Sequence, residues 1–205
     1  MQIINRKNPW PKGWGEKTSI MGVINLTPDS FSDGGDLNSS KKVLDQVNHF
    51  LNNGVDIIDL GAQSTRPGAE EVGSKIEIKR LIPYLKLIRY EHPEILISID
   101  TFHSDVAYEA LSNGADWIND VTGGRRDKEI LNVVSEFNCP FVITHSRGNS
   151  KNMNELSKYD NVLSEVKFAL EILIKNALEK NISRDNLIVD PGIGFSKDII
   201  HNLEI

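Results

Sequence analysis

Short apolar runs in this chain break, one after another, into polar residues able to bind or polarise a ligand: Asn25, Asp33, Thr65 with Arg66, Asp100, Asn119, His145 with Arg147, and Asp190. Carboxylates and an amide suit a heterocycle rich in donors, because one carboxylate accepts two hydrogen bonds from adjacent ring N–H and amino groups. Thr65 and Arg66 suit an anion, since a guanidinium fork matches phosphate oxygens and their loop leads toward a helix N-terminus. Each residue alone has a plainer reading: Asp100 or Asn119 caps the turn that follows it, and Arg66 forms a surface ion pair. Their common place at strand ends is what joins them into a candidate site. His49, His92, His103 and His201 have no partner at metal-ligand spacing and read as surface or helix residues, and His145 reads as structural.

The elements that must position these residues alternate. Apolar runs at 19–24, 55–61, 95–101, 117–121, 141–145 and 187–190 have the composition of strands covered on both faces. Helical spacing fills the intervals. Val43, Leu44, Val47, Phe50 and Leu51 share one helix face, with Ser39 or Ser40 as N-cap and Gly54 as the stop. A longer pattern through Ile78, Leu81, Ile82, Leu85 and Ile88 is expected to bend or restart near Pro83. Three further helices follow, through Val106 to Leu111, Ile130 to Phe137 and Val162 to Leu178, and a last begins after Ser196 as its cap. Such alternation predicts an α/β fold with a parallel sheet and right-handed crossovers, either an open doubly wound sheet or a barrel. An open sheet gathers its ligand at one switch point, whereas a barrel turns every strand end toward one mouth. Polar residues at nearly every strand end therefore favour a (β/α)₈ TIM-barrel type, with about six of the eight βα units present.

A chain of 205 residues is long enough for one sizeable core. The turn-rich stretch 1–18, with Trp10 and Trp14, is read as a lead-in covering one end of a barrel domain over 19–205 that is incomplete at its C-terminus. A formal net charge of −6 gives no support for a nucleic-acid surface. One cysteine, Cys139, rules out an internal disulfide and a cysteine-based zinc site, and reads as a buried residue at a helix-to-strand turn. No run approaches a membrane span or a signal peptide's apolar core, so a reducing compartment, cytoplasm or an organelle stroma, is expected.

The stretch Asn25 to Gly35, reading Asn-Leu-Thr-Pro-Asp-Ser-Phe-Ser-Asp-Gly-Gly, and Ser64 to Ala69, reading Ser-Thr-Arg-Pro-Gly-Ala, are highly specific together. With Ile99-Asp100-Thr101, Ile118-Asn119-Asp120 and the run Asp190 to Phe195, they make the chain from about Ser19 onward resemble the dihydropteroate synthase family, a pterin-binding (β/α)₈ group. The resemblance implies condensation of 7,8-dihydropterin-6-ylmethyl diphosphate with p-aminobenzoate to give dihydropteroate and diphosphate, assisted by Mg2+. It further implies that Asp100, Asn119 and Asp190 grip the pterin, Phe195 lies near p-aminobenzoate, and Asn25 is a ligand of the diphosphate-bound magnesium. Thr65 and Arg66 would organise the diphosphate and p-aminobenzoate sites, and Asp33 would face the charge left on the pterin methylene. Dimerisation through barrel helices is also implied. The resemblance continues, in other members, into a strand-end lysine, a Ser-Arg-Lys loop and a final Arg-x-His strand that lie beyond Ile205. Little synthase activity is therefore expected of residues 1–205 alone, together with an exposed sheet edge. The alternatives are a pterin-binding methyl-carrier domain without diphosphate chemistry and a non-catalytic fragment.

Overall fold

The computed structural model describes residues 8–26, 37–63, 72–148 and 151–205. Strands β1 (Met21–Asn25), β2 (Ile57–Gly61), β3 (Leu96–Asp100), β4 (Trp117–Asp120), β5 (Phe141–Thr144) and β6 (Leu187–Asp190) form one sheet in the order β1-β2-β3-β4-β5-β6, each pair parallel. They alternate with helices α1 (Leu37–Asn52), α2 (Ser74–Glu91), α3 (Ser104–Ser112), α4 (Glu129–Phe137), α5 (Val162–Glu179) and α6 (Ile199–Glu204). The strand order never reverses, so there is no switch point and the doubly wound alternative falls.

Strand alternation sorts the core into two layers. Ile24, Ile58, Leu60, Ile97, Ile99, Ile118, Phe141 and Ile143 face the helices and join their buried stripes in one large cluster. The opposite sheet face contributes Ile57, Leu96, Trp117 and Val142, with Met21 and Ile188 packed against them. Residues from all six strands meet in that second, small cluster, which requires the sheet to curl around it as the wall of a barrel does. The lead-in closes the strand-start end of this interior. Trp10 and Trp14 pack against Trp117 at 5.2 and 5.5 Å between ring centroids, and Trp117 Nε1 donates to the Pro9 carbonyl at 2.6 Å.

The same end holds a buried cation. Arg89, on α2, donates to the carbonyls of Gly114 (3.0 and 2.7 Å), Pro93 (3.0 Å) and Ile95 (2.6 Å) and to Asp116 Oδ2 at 2.7 Å. Asp116 Oδ2 also accepts from Ile97 N at 2.8 Å, so the pair fixes the starts of β3 and β4.

Local signals differ from the sequence expectation in three places. Helix α1 already contains Ser39 and Ser40, so neither is its cap, and Ser39 is buried. Helix α2 runs through Pro83 without restarting, because Leu81, Tyr84, Leu85 and Ile88 continue one buried stripe across it and outweigh the lost backbone bond. Helix α6 is capped by Asp198 in a reciprocal pair with His201, while Ser196, at φ 51°, turns its hydroxyl elsewhere. Among the described residues β1 and β6 each have one sheet neighbour, and Val23, which faces the interior, is 52% exposed on that open side. No helix of the described residues is long and apolar enough to cross a membrane.

Candidate functional site

The interior-facing positions continue above the apolar floor into a polar tier. Asn25, Gly61, Asp100 and Asn119 pair in one register row at the C-terminal ends of β1 to β4, and Asp59 and Ser98 lie two residues below on the same face. Thr144 and Asp190 pair at the ends of β5 and β6. Gly61 keeps the row uncrowded: a side chain there would begin 3.3 Å from Asp100 Oδ2, close enough to shift that carboxyl slightly, and 3.6 Å from Asn25 Oδ1. Asn119 Nδ2 donates to Asp59 Oδ2 at 3.2 Å, which spans two strands and leaves Asp59 Oδ1 buried without a hydrogen-bond partner among the described residues.

The turn-capping alternative is answered by the neighbour of Asn119. Asp120 faces the other way, accepts from Thr122 N (2.7 Å), Thr122 Oγ1 (2.8 Å) and Gly124 N (2.7 Å), and holds the loop after β4. Asn119 is thereby free to face inward. Asp190 Oδ1 accepts from Gly192 N at 2.7 Å and Oδ2 from Thr144 Oγ1 at 3.4 Å, leaving further lone pairs for a ligand. Phe195 is half-buried on the same turn, its N–H donating to the Gly192 carbonyl at 3.0 Å. Asn25 is exposed at the end of β1. Asp33, Thr65 and Arg66 lie outside the described residues.

Two candidates serve the scaffold. His145 is buried, its backbone N–H donates to the Asp190 carbonyl at 2.9 Å, and its Nδ1 lies 3.0 Å from Lys197 Nζ. Burial, then the Lys197 and Arg147 charges, bring it down to about 4, so it is neutral at physiological pH. Arg147 donates to Glu165 Oε2 (2.7 Å) and to the Lys158 carbonyl (2.8 Å) and stacks 3.9 Å over Tyr159, so its fork is committed to α5 and its approach.

Two acids of this tier are raised by burial. Burial raises Asp59 above the usual carboxylate range, with Ser98 and Asn119 pulling the other way. Asp100 is raised well above it, first by burial and then by the charges of Asp59, Glu77 and Asp120. Asp100 keeps a little surface at the mouth, yet protein surrounds it. The shift disfavours the charged form of both carboxyls, and its cause is their enclosure by protein. The tier thus offers donors and acceptors side by side above an aromatic floor.

Strand-end reading missed Asp59, Lys197 and Glu77. A signal for Asp59 was present, since Ile57, Asp59 and Gly61 share one face and a carboxylate in such a run is costly without purpose. Glu77, at the start of α2, is buried, and burial raises it to about 7 from 4.5. A raised carboxyl favours the folded state below its unfolded value and loses that contribution as pH rises from 4.5 through about 7. Glu77→Gln keeps the group neutral. Its denaturation midpoint relative to the parent is expected to be higher at pH 8 than at pH 5, and equal differences at the two pH values would remove Glu77 as the source.

Residues 21–205 match the sequence pattern of a family described as pterin binding enzyme. The chain is 46% identical over 196 residues to a folate synthesis bifunctional protein of Arabidopsis thaliana, covering 94% of this chain and 40% of that one. Among solved structures it is similar to dihydropteroate synthase from Clostridium difficile, determined in the presence of pteroic acid, with a TM-score of 0.84, 39% identity and coverage of 93% of this chain and 70% of that chain. Dihydropteroate synthase from Xanthomonas albilineans with 4-aminobenzoic acid gives a TM-score of 0.82 and 33% identity over 92% of this chain and 66% of that chain. The chain spans 25 to 40% of the length of the curated relatives it first matches.

Proposed function

The chain belongs to the pterin binding enzyme family, and on that premise we propose that it serves dihydropteroate synthesis, joining a dihydropterin methylene to the amine of p-aminobenzoate with loss of diphosphate. The observation that carries this reading is the inward polar tier of Asp59, Asp100, Asn119 and Asp190 above the Trp117 floor. An aminopyrimidinone edge presents adjacent N–H and amino donors together with ring acceptors. Asp190 would take the donors, and Asn119 and Asp100 would line the rest of the ring edge. Relatives of the family crystallised with pteroic acid and with 4-aminobenzoic acid support the two halves of the substrate pair.

The reaction breaks the bond from the methylene to the diphosphate oxygen, whose electron pair leaves with diphosphate. The amine nitrogen forms the new C–N bond and sheds a proton. No side-chain nucleophile is required, and Cys139 is unsuited to act as one, being buried and pushed up to about 12. Asp33 would oppose the positive charge on the methylene, Thr65 and Arg66 would bind the leaving diphosphate, and Phe195 would border p-aminobenzoate.

Magnesium fits this chain through Asn25, an exposed residue at the end of β1 whose amide oxygen lies, like Asp100 Oδ2, beside Gly61. Such an ion would take Asn25 as its ligand from β1, with substrate phosphates supplying others. When bound, Mg2+ neutralises charge developing on the departing diphosphate. Calorimetry with pterin, and with pterin-6-ylmethyl diphosphate in the presence and absence of Mg2+, tests the reading. Pterin should bind, and the diphosphate should add affinity only with Mg2+. Affinity indifferent to both would instead favour the methyl-carrier reading.

A further inference from the structure

Lys197 is only 8% exposed, and the chemistry above gives it no task. Its Nζ donates to the carbonyls of Gly192 (2.9 Å) and Phe195 (3.0 Å) and lies 3.0 Å from His145 Nδ1. An ammonium has three donors and no acceptor, so these partners use all of them. His145 Nδ1 must then be the acceptor, which assigns the ring proton to Nε2. Two partners lie on the turn after β6 and the third at the end of β5, so one cation ties that turn to the neighbouring strand.

The bonds around it lead to the candidate site. Gly192, whose carbonyl Lys197 holds, donates its own N–H to Asp190 Oδ1 at 2.7 Å, and Phe195 N–H returns to the same Gly192 carbonyl at 3.0 Å. Gly192 has φ 71° and lies against the His145 carbonyl so closely that no side chain fits. Beside it, Ser196 Oγ accepts from Arg147 N (3.1 Å) and donates to Arg147 O (2.6 Å), while Tyr159 OH donates to Ser196 O at 2.9 Å. From this geometry we infer that Lys197 is a positioning residue for pterin recognition: its ammonium holds Gly192 and Phe195 so that the Asp190 carboxylate and the Phe195 ring keep their places. The inference rests on the proposed pterin site.

The charged and titratable groups facing Lys197 are His145 from β5, Asp190 from β6 and Arg147 from the loop after β5, with Arg125 from the loop after β4 acting on His145. Burial lowers Lys197 to about 8, with Asp190 opposing and Arg147 adding to the fall. Above that pH the amine keeps two N–H donors for the carbonyls and gains a lone pair, so the contact with His145 Nδ1 persists as a hydrogen bond only if the ring proton moves there, and the charge that strengthened all three is gone.

The test is calorimetric affinity for pterin of the parent and of Lys197→Met, from about pH 6.5 to about pH 9.5, with amide chemical shifts of Gly192 and Phe195 followed in the ligand-free parent. The parent should lose about tenfold in affinity as pH passes about 8, and Lys197→Met should be about tenfold weaker at pH 7 and lack that fall. The two amides should titrate together near pH 8. Parental affinity in a folded Lys197→Met, or the same pH slope in it, would overturn the inference. If the variant does not fold, amide shifts of the parent that ignore pH 8 overturn it and a shared midpoint there supports it. A parent that binds no pterin sinks the functional reading, and the amide titration still decides whether Lys197 holds the turn.

Discussion

Asp190→Ala is expected to weaken pterin binding by roughly a hundredfold or more. The substitution leaves two adjacent ring donors facing a methyl group, each at a cost of about 1 to 3 kcal/mol, and about 1.4 kcal/mol is a factor of ten. It also strips Gly192 N of the acceptor it has at 2.7 Å, loosening the turn that carries Phe195. Asp190→Asn separates these effects. An asparagine oxygen can still accept from Gly192 N, but its amide nitrogen presents donors toward donors and its charge is gone. Asparagine should therefore keep the turn and still lose most of the affinity. Unchanged calorimetric affinity in both variants would remove Asp190 from the pterin contact, whereas loss in alanine alone would make its role that of a turn brace.

The largest effect on stability is expected far from that mouth. Arg89→Met should lower the unfolding free energy by about 3 to 5 kcal/mol, because it leaves a buried carboxylate without its cation. The pair is enclosed, with side-chain exposures of 9% and 5%. Three carbonyls, of Gly114, Pro93 and Ile95, lose their donors at the same stroke. Removing the partner as well, in Arg89→Met with Asp116→Leu, should recover part of the loss, with Ile97 N still short of an acceptor. Urea denaturation of the single and double variants measures this. A single variant within about 1 kcal/mol of the parent would show that water reaches the site and screens the charge. Residual pterin affinity of folded protein should not change, since this network braces strand starts.

Much of the architecture was legible because polarity gathers at one end of each apolar run, and only a parallel sheet with crossovers places those ends together. The interior row was legible for the same reason: Asn25, Asp100, Asn119 and Asp190 are the last or nearly last residues of their strands, and all four face inward. Asp59 was not legible because it lies inside an apolar run with no loop beside it, although the interior face also admits the position two residues below a strand end. Lys197 escaped for a different cause, as its third partner lies 52 residues away and nothing local announces it. The caps failed where tertiary bonds compete, as when Ser196 spends its hydroxyl on Arg147 and leaves the cap to Asp198. For Asp33, Thr65 and Arg66 the sequence remains the whole basis of the assignment.

The run of strands from β1 to β6 has a mechanical consequence. Asn25 stands on the first strand and Asp190 on the last, and in the sheet the route between them passes through every intervening strand. Small changes of twist at each hydrogen-bonded pair therefore accumulate into one dimension, the gap between those two side chains. Among the described residues β1 and β6 share no hydrogen-bonded pairing that would oppose such a change. A ligand that touched both Asn25 and Asp190 would bridge that gap, and the rigidity it adds is expected to be greatest at β1 and β6.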